Sequence, residues 1–165
     1  MAALTAGTHA PDFELKTMDG ARFVLRDELA KGPVVLAFFK VSCPTCQYTF
    51  PFLERLVRAY TQSGVRIVGV SQNDSKDTAK FVKEFGITFP ILIDDAKSYA
   101  VSNTYGLTNV PTLFWIAQDG EIEVSSVGWV KAEFSEINRK LAEVGKVAPA
   151  VVFNPSEDVR DFRAG

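Results

Sequence analysis

Only two cysteines and a single histidine occur among the 165 residues. Both cysteines, Cys43 and Cys46, fall in one four-residue stretch, where a bridge would close almost no loop and could not staple a fold. The same scarcity argues against zinc, because a C-x-x-C pair needs two further donors and His9 lies far away in sequence. Nor is there an excess of positive charge. Eighteen Lys and Arg stand against twenty Asp and Glu, for a formal net charge of -2, which leaves no basic footprint for nucleic acid or an anionic membrane surface. No window approaches the ~20 apolar residues of a membrane span. The segment Met1–His9 carries neither the basic nor the apolar region of a secretion signal. The cytoplasm is therefore the expected compartment, unless a leader has been trimmed.

What the chain does have is a hydrophobic content of 47%, enough to close one core around a central sheet without staples. Pro11–Leu15 and Arg22–Leu25 alternate in polarity around Asp19-Gly20 and predict a hairpin. The apolar run from Pro33 to Phe39 predicts a strand buried on both faces. Phe50, Leu53, Leu56, Val57 and Tyr60 form a helical stripe from Pro44 to about Tyr60, with a kink expected at Pro51. A second buried strand over Val65–Val70 and a helix over Ser75–Phe85, capped by Ser75 and stopped at Gly86, complete a βαβ rhythm. Further along come a strand at Phe89–Ile93, a helix over Lys97–Tyr105, a hairpin of Thr112–Ile116 and Glu121–Val124, and a closing helix from Lys131 to about Val144. Residues 1–145 read as one domain. Residues 146–165 read as a tail that either packs as a strap or stays mobile.

The chemistry is concentrated in Cys43-Pro44-Thr45-Cys46, which lies between a buried strand and a helix. At the first turn of a helix, free backbone N–H groups and the positive end of the dipole stabilise an anion. A thiol placed there is expected to ionise at roughly pH 3.5–7 rather than about 8.5. Pro44 suits the first helical position, where its missing N–H costs nothing. Cys46, three residues on, shares a helix face with Cys43 and can attack a mixed disulfide formed there. Cys43 is thus the expected nucleophile and Cys46 the resolving thiol; the competing reading is that both are small buried hydrophobes. Lys40 either attracts the Cys43 thiolate through space or is simply the polar end of a strand. Trp115, Trp129 and the thirteen phenylalanines read as core, so no cofactor is expected.

With these motifs in hand, the chain resembles the thioredoxin superfamily over roughly residues 7–145, and within it the redoxin branch of TlpA/ResA-like oxidoreductases and peroxiredoxins. The resemblance implies an α/β thioredoxin-like fold: a central mixed sheet flanked by helices, an N-terminal β-hairpin, and an added helix and strand within Asn73–Tyr105. It makes Pro51 the proline beyond the second cysteine and Pro111, in Val110-Pro111-Thr112, the cis-proline facing the pair. It further implies that backbone at Val110, together with Pro111, Pro44 and Thr45, docks an extended partner segment by strand addition. The implied activity is disulfide exchange with protein or low-molecular-weight thiol partners.

Departures from the family pattern sharpen the expectation. The places of the usual buried acids hold Ala37 and Thr49, so the resolving thiol lacks its usual proton acceptor, and water, Thr49 or Lys40 are the substitutes. Ser42 replaces the tryptophan that usually precedes the motif. The alternative activity is a peroxiredoxin-like peroxidase reducing hydrogen or alkyl peroxides. Its threonine and proline, three and seven residues before the reactive cysteine, are Lys40 and Leu36 here.

Overall fold

The sheet is built around β3 (Val34–Phe39), whose six residues are all buried, as an uninterrupted Val/Leu/Phe run requires when both faces are covered. In this computed structural model, which describes residues 2–165, β3 is preceded by the hairpin β1 (Glu14–Thr17) and β2 (Arg22–Val24) and by a short helix, α1 (Leu25–Leu29). It is followed by α2 (Pro44–Ala59), β4 (Arg66–Ser71), α3 (Ser75–Phe85), β5 (Ile91–Ile93) and α4 (Ala100–Thr104). The chain then forms β6 (Thr112–Ile116), β7 (Ile122–Val127), β8 (Trp129–Val130), α5 (Lys131–Gly145) and β9 (Phe162–Arg163). Seven strands pair in the order β2-β1-β5-β4-β3-β6-β7. Pairing is parallel from β3 through β4 to β5 and antiparallel for β1 with β2 and β5, for β3 with β6, and for β6 with β7. This is the mixed α/β sheet that the family resemblance implies, with the parallel β3-β4-β5 portion that the βαβ alternation predicts.

Alternate residues of β3 feed two cores, one on each face of the sheet. Val35, Ala37 and Phe39 pack with Phe50, Leu53 and Leu56 of α2, Phe81 of α3, and Phe134, Ile137 and Leu141 of α5. Val34, Leu36 and Phe38 pack with Leu25 and Leu29 of α1 and with Val101 and Tyr105 at α4. Phe50 is the centre of the first core: its ring lies 4.4 Å from that of Phe39, 5.5 Å from Phe81 and 5.8 Å from Phe89. Gly69 of β4 leaves the room for it, since a Cβ there would stand 3.4 Å from the Phe50 ring and 2.6 Å from Ile91 Cδ1. α2 runs through Pro51, so that the Gln47 carbonyl lacks its usual helical donor.

Several boundaries differ from those the sequence predicts. The α3 cap is Asp74, whose carboxylate accepts the Asp77 N–H at 2.8 Å, one residue before the expected Ser75. The helix expected over Lys97–Tyr105 begins only at Ala100, because the Asp95 carboxylate holds Lys97 N–H and the Ser98 hydroxyl in a turn. Tyr99 then enters the left-handed region at φ 48°. The buried Asp94 carboxylate supplies the start, accepting from Ser102 N–H at 2.8 Å and from the Ser102 hydroxyl at 2.7 Å. α1 had no sequence signal beyond two leucines four apart.

The outer edge of β7 is covered at both ends. At one end, Gly7 N–H donates to Ile122 and Ile122 N–H donates back to Thr8, both at 2.8 Å, while Ser125 Oγ donates to the Leu4 carbonyl at 2.6 Å. At the other end lies the tail, packed as a strap. It turns at Lys146 and is pinned where the Asn138 side-chain amide donates to Ala150 O and Ala150 N–H donates to the Tyr60 hydroxyl. Arg55 of α2 then grips the Glu157 carboxylate with two bonds of 2.7 Å. The Trp129 indole donates to Arg160 O at 2.7 Å, and β9 pairs antiparallel with β8.

Two outcomes are expected. Phe50→Ala should cost about 3–5 kcal/mol in urea unfolding, because the three rings of Phe39, Phe81 and Phe89 would face the cavity left behind. Arg55 and the Asn154 N–H hold the Glu157 carboxyl down to about 2, below its ordinary 4.5. With the folded value below the unfolded one, this contribution is complete above the ordinary value and is lost as pH falls towards 2. Trp129 fluorescence should therefore report strap loosening in that window, and Glu157→Gln should abolish the step.

Candidate active site

Cys43 does not belong to α2 but caps it. Its backbone is extended (φ -81°, ψ 116°), Pro44 takes the first helical position, and the Cys43 sulfur accepts the N–H of Cys46 at 3.2 Å. Sulfur thus fills the place that a Ser or Asp oxygen fills at most helix starts, and it meets the unpaired donors of the first turn. The same thiol donates to the Val110 carbonyl at 3.3 Å. The Val110–Pro111 peptide is cis.

Neighbouring groups fix the approach to the cap. Val41 N–H donates to Asn73 Oδ1 at 3.0 Å, the Gln47 side chain donates to Val41 O at 2.9 Å, and Cys43 N–H donates to Lys40 O at 3.2 Å. Asn73 and Gln47 carried no sequence signal, since single amides in a loop and a helix look like ordinary surface.

The two sulfurs sit in different surroundings. Cys43 is partly exposed, whereas Cys46 is completely buried beneath it. Burial pushes the Cys46 thiol well above the ordinary range, and its hydrogen bond with the Cys43 thiol adds to the rise. The places of the expected acids are lined as the sequence says. Ala37 is buried, and the buried Thr49 directs its hydroxyl to the Thr45 carbonyl at 2.8 Å. The buried Glu54 accepts from Thr88 N–H, the Thr88 hydroxyl and Arg58 instead. Lys40 holds its ammonium 5.6 Å from the centre of the Tyr99 ring. Both residues line a cavity of about 210 Å³ that reaches Val110.

Of the residues singled out in the sequence, Cys43, Cys46, Val110 and Pro111 come together, with Pro44 exposed beside them. Thr45 is buried, and its hydroxyl donates to the Ala164 carbonyl at 2.6 Å. It faces the strap. Residues 163–165 thereby lie against Thr45, Val110 and Gly128, beside the two cysteines rather than among the reacting groups, although in sequence they read only as part of an irregular tail.

The AhpC/TSA family matches residues 6–125, and the chain belongs to it. Thiol-disulfide oxidoreductase ResA of Geobacillus thermodenitrificans (strain NG80-2) is 35% identical over 132 residues, covering 79% of this chain and 74% of that protein. Its namesake in Halalkalibacterium halodurans is likewise 35% identical over 132 residues, covering 79% and 73%. Among solved structures, a thiol:disulfide interchange protein of the thioredoxin family from Chlorobium tepidum TLS superposes with a TM-score of 0.68 at 26% identity. It covers 85% of this chain and 99% of that one.

The burial difference predicts the labelling order. Iodoacetamide on the native reduced protein should give a single adduct at Cys43, with Cys46 modified at least about tenfold more slowly until denaturant exposes it. Peptide mass mapping checks both sites.

Proposed function

We propose that this protein is a thiol-disulfide oxidoreductase that exchanges disulfides with protein or low-molecular-weight thiol partners through Cys43 and Cys46. The observation that carries this reading is the sulfur of Cys43 used as a helix cap, partly open to solvent and accepting the backbone N–H of Cys46, whose own thiol is buried behind it.

In the reductive direction, the Cys43 thiolate attacks one sulfur of a partner disulfide and releases the other partner sulfur as a thiolate. Charge that leaves or returns to the Cys43 sulfur does so opposite the Cys46 N–H. Cys46 then loses its proton and attacks the Cys43 sulfur. The Cys43–Cys46 disulfide forms, the second partner thiolate departs, and two electrons have passed to the partner. The oxidative direction is the same sequence reversed. Because burial disfavours the Cys46 thiolate, ring closure is the slow step and quickens with rising pH. The backbone at Val110, beside the cysteine it already contacts, offers an extended segment of a protein partner a place to pair.

Cys46→Ser should accumulate a mixed disulfide through Cys43, visible as a mass adduct on non-reducing analysis, while Cys43→Ser should abolish exchange. Equal trapping by both variants would reverse the roles. Hydrogen peroxide added to the reduced wild type should be consumed negligibly. Fast consumption that depends on Cys43 would favour a peroxidase.

A further inference from the structure

The strap does more than cover a core. Two backbone surfaces meet at Cys43, the start of α2 and the loop at Val110-Pro111, and the turn at Gly128 adjoins the second, its N–H donating to Pro111 O at 2.7 Å. Residues 163–165 touch all three. The Thr45 hydroxyl donates to Ala164 O at 2.6 Å. A Cβ on Gly165 would stand 2.3 Å from the Val110 carbonyl oxygen, and one on Gly128 would stand 2.7 Å from Arg163 O. Backbone therefore lies directly on backbone at both glycines, with no space for a side chain between. Upstream, β9 adds as a strand to β8, Lys131 N–H donates to Asp161 O at 2.9 Å, and Arg160 N–H donates to the Tyr48 hydroxyl at 3.1 Å.

We infer that residues 160–165 act as an internal stand-in for the partner, lying on the Val110 and Gly128 edge that an extended protein disulfide must use to reach Cys43. The inference rests on the proposed exchange activity and adds what selects its substrates. The occupant lays two small residues, Ala164 and Gly165, against Thr45 and Val110. The groove accordingly fits a partner segment with glycine or alanine beside its cystine. Lacking cysteine, the strap forms no bond with Cys43 and acts only by competition. Small disulfides need no such edge and reach the partly exposed Cys43 sulfur past the strap.

The test compares the full chain with two variants: one ending at Val159, and Gly165→Leu, whose added side chain would collide with the Val110 carbonyl. Each is offered a cystine-bridged extended peptide and, separately, 5,5′-dithiobis(2-nitrobenzoic acid). Both variants should exchange with the peptide about tenfold faster, as for a site open in roughly a tenth of molecules when the strap is present. Rates with the small aromatic disulfide should stay within about twofold. If the shortened chain loses its near-ultraviolet circular dichroism, Gly165→Leu, which keeps the Trp129 and β8 anchors, decides alone. Peptide rates that match the full chain, or a rise shared equally by both substrates, would overturn the inference. Failure of every form to react with the small disulfide would instead remove the exchange activity itself, and the strap's role with it.

Discussion

One contact organises the redox end of this molecule: the amide of Cys46 pointing at the sulfur of Cys43. It exists because β3 ends at Phe39, fully enclosed, and α2 must begin within a few residues if its Phe50, Leu53 and Leu56 face is to reach the sheet. A helix that starts under that constraint leaves its first-turn donors facing the loop. In this chain the residue placed to receive them is a thiol. The cap and the chemistry are one group, and the core sets the position of both.

Directly behind that cap the environment changes from partly aqueous to closed. Cys46 is surrounded by the core that holds Ala37, Phe39 and Phe50, and the single buried carboxylate of α2, Glu54, is turned towards Thr88 and Arg58. The proposed exchange would thereby be divided between a partly exposed sulfur and one whose charged form the surroundings oppose. The direction of electron flow in the cell depends on how the disulfide compares with the partner's, but the asymmetry between the two steps is built into the packing.

Much of this was legible in the sequence because it was periodic or locally encoded. The doubly buried strand, the stripe on α2 and the C-x-x-C at their junction are patterns of neighbouring residues, and hydrophobic spacing specifies them directly. What escaped the sequence was decided at a distance. The start of α4 depends on Asp94, buried through bonds to Val101 and Ser102, which no local rule announces. The helix α1 forms from five residues because Leu25 and Leu29 find a core waiting. The strap has little periodicity beyond Val151-Val152-Phe153, since what holds it is a set of partners more than a hundred residues away in some cases, such as Thr45 for Ala164 and Arg55 for Glu157.

A sheet with an open border invites other chains to pair along it. Here one border, β2, is three residues long and breaks at once into a helix, and the other, β7, has Leu4–Thr8 along one half and the Gly128 turn under the strap at the other. The two ends of the described polypeptide thus serve as selvedges. Both borders of the sheet are thereby hemmed, which leaves little free strand along which a second copy could be stitched.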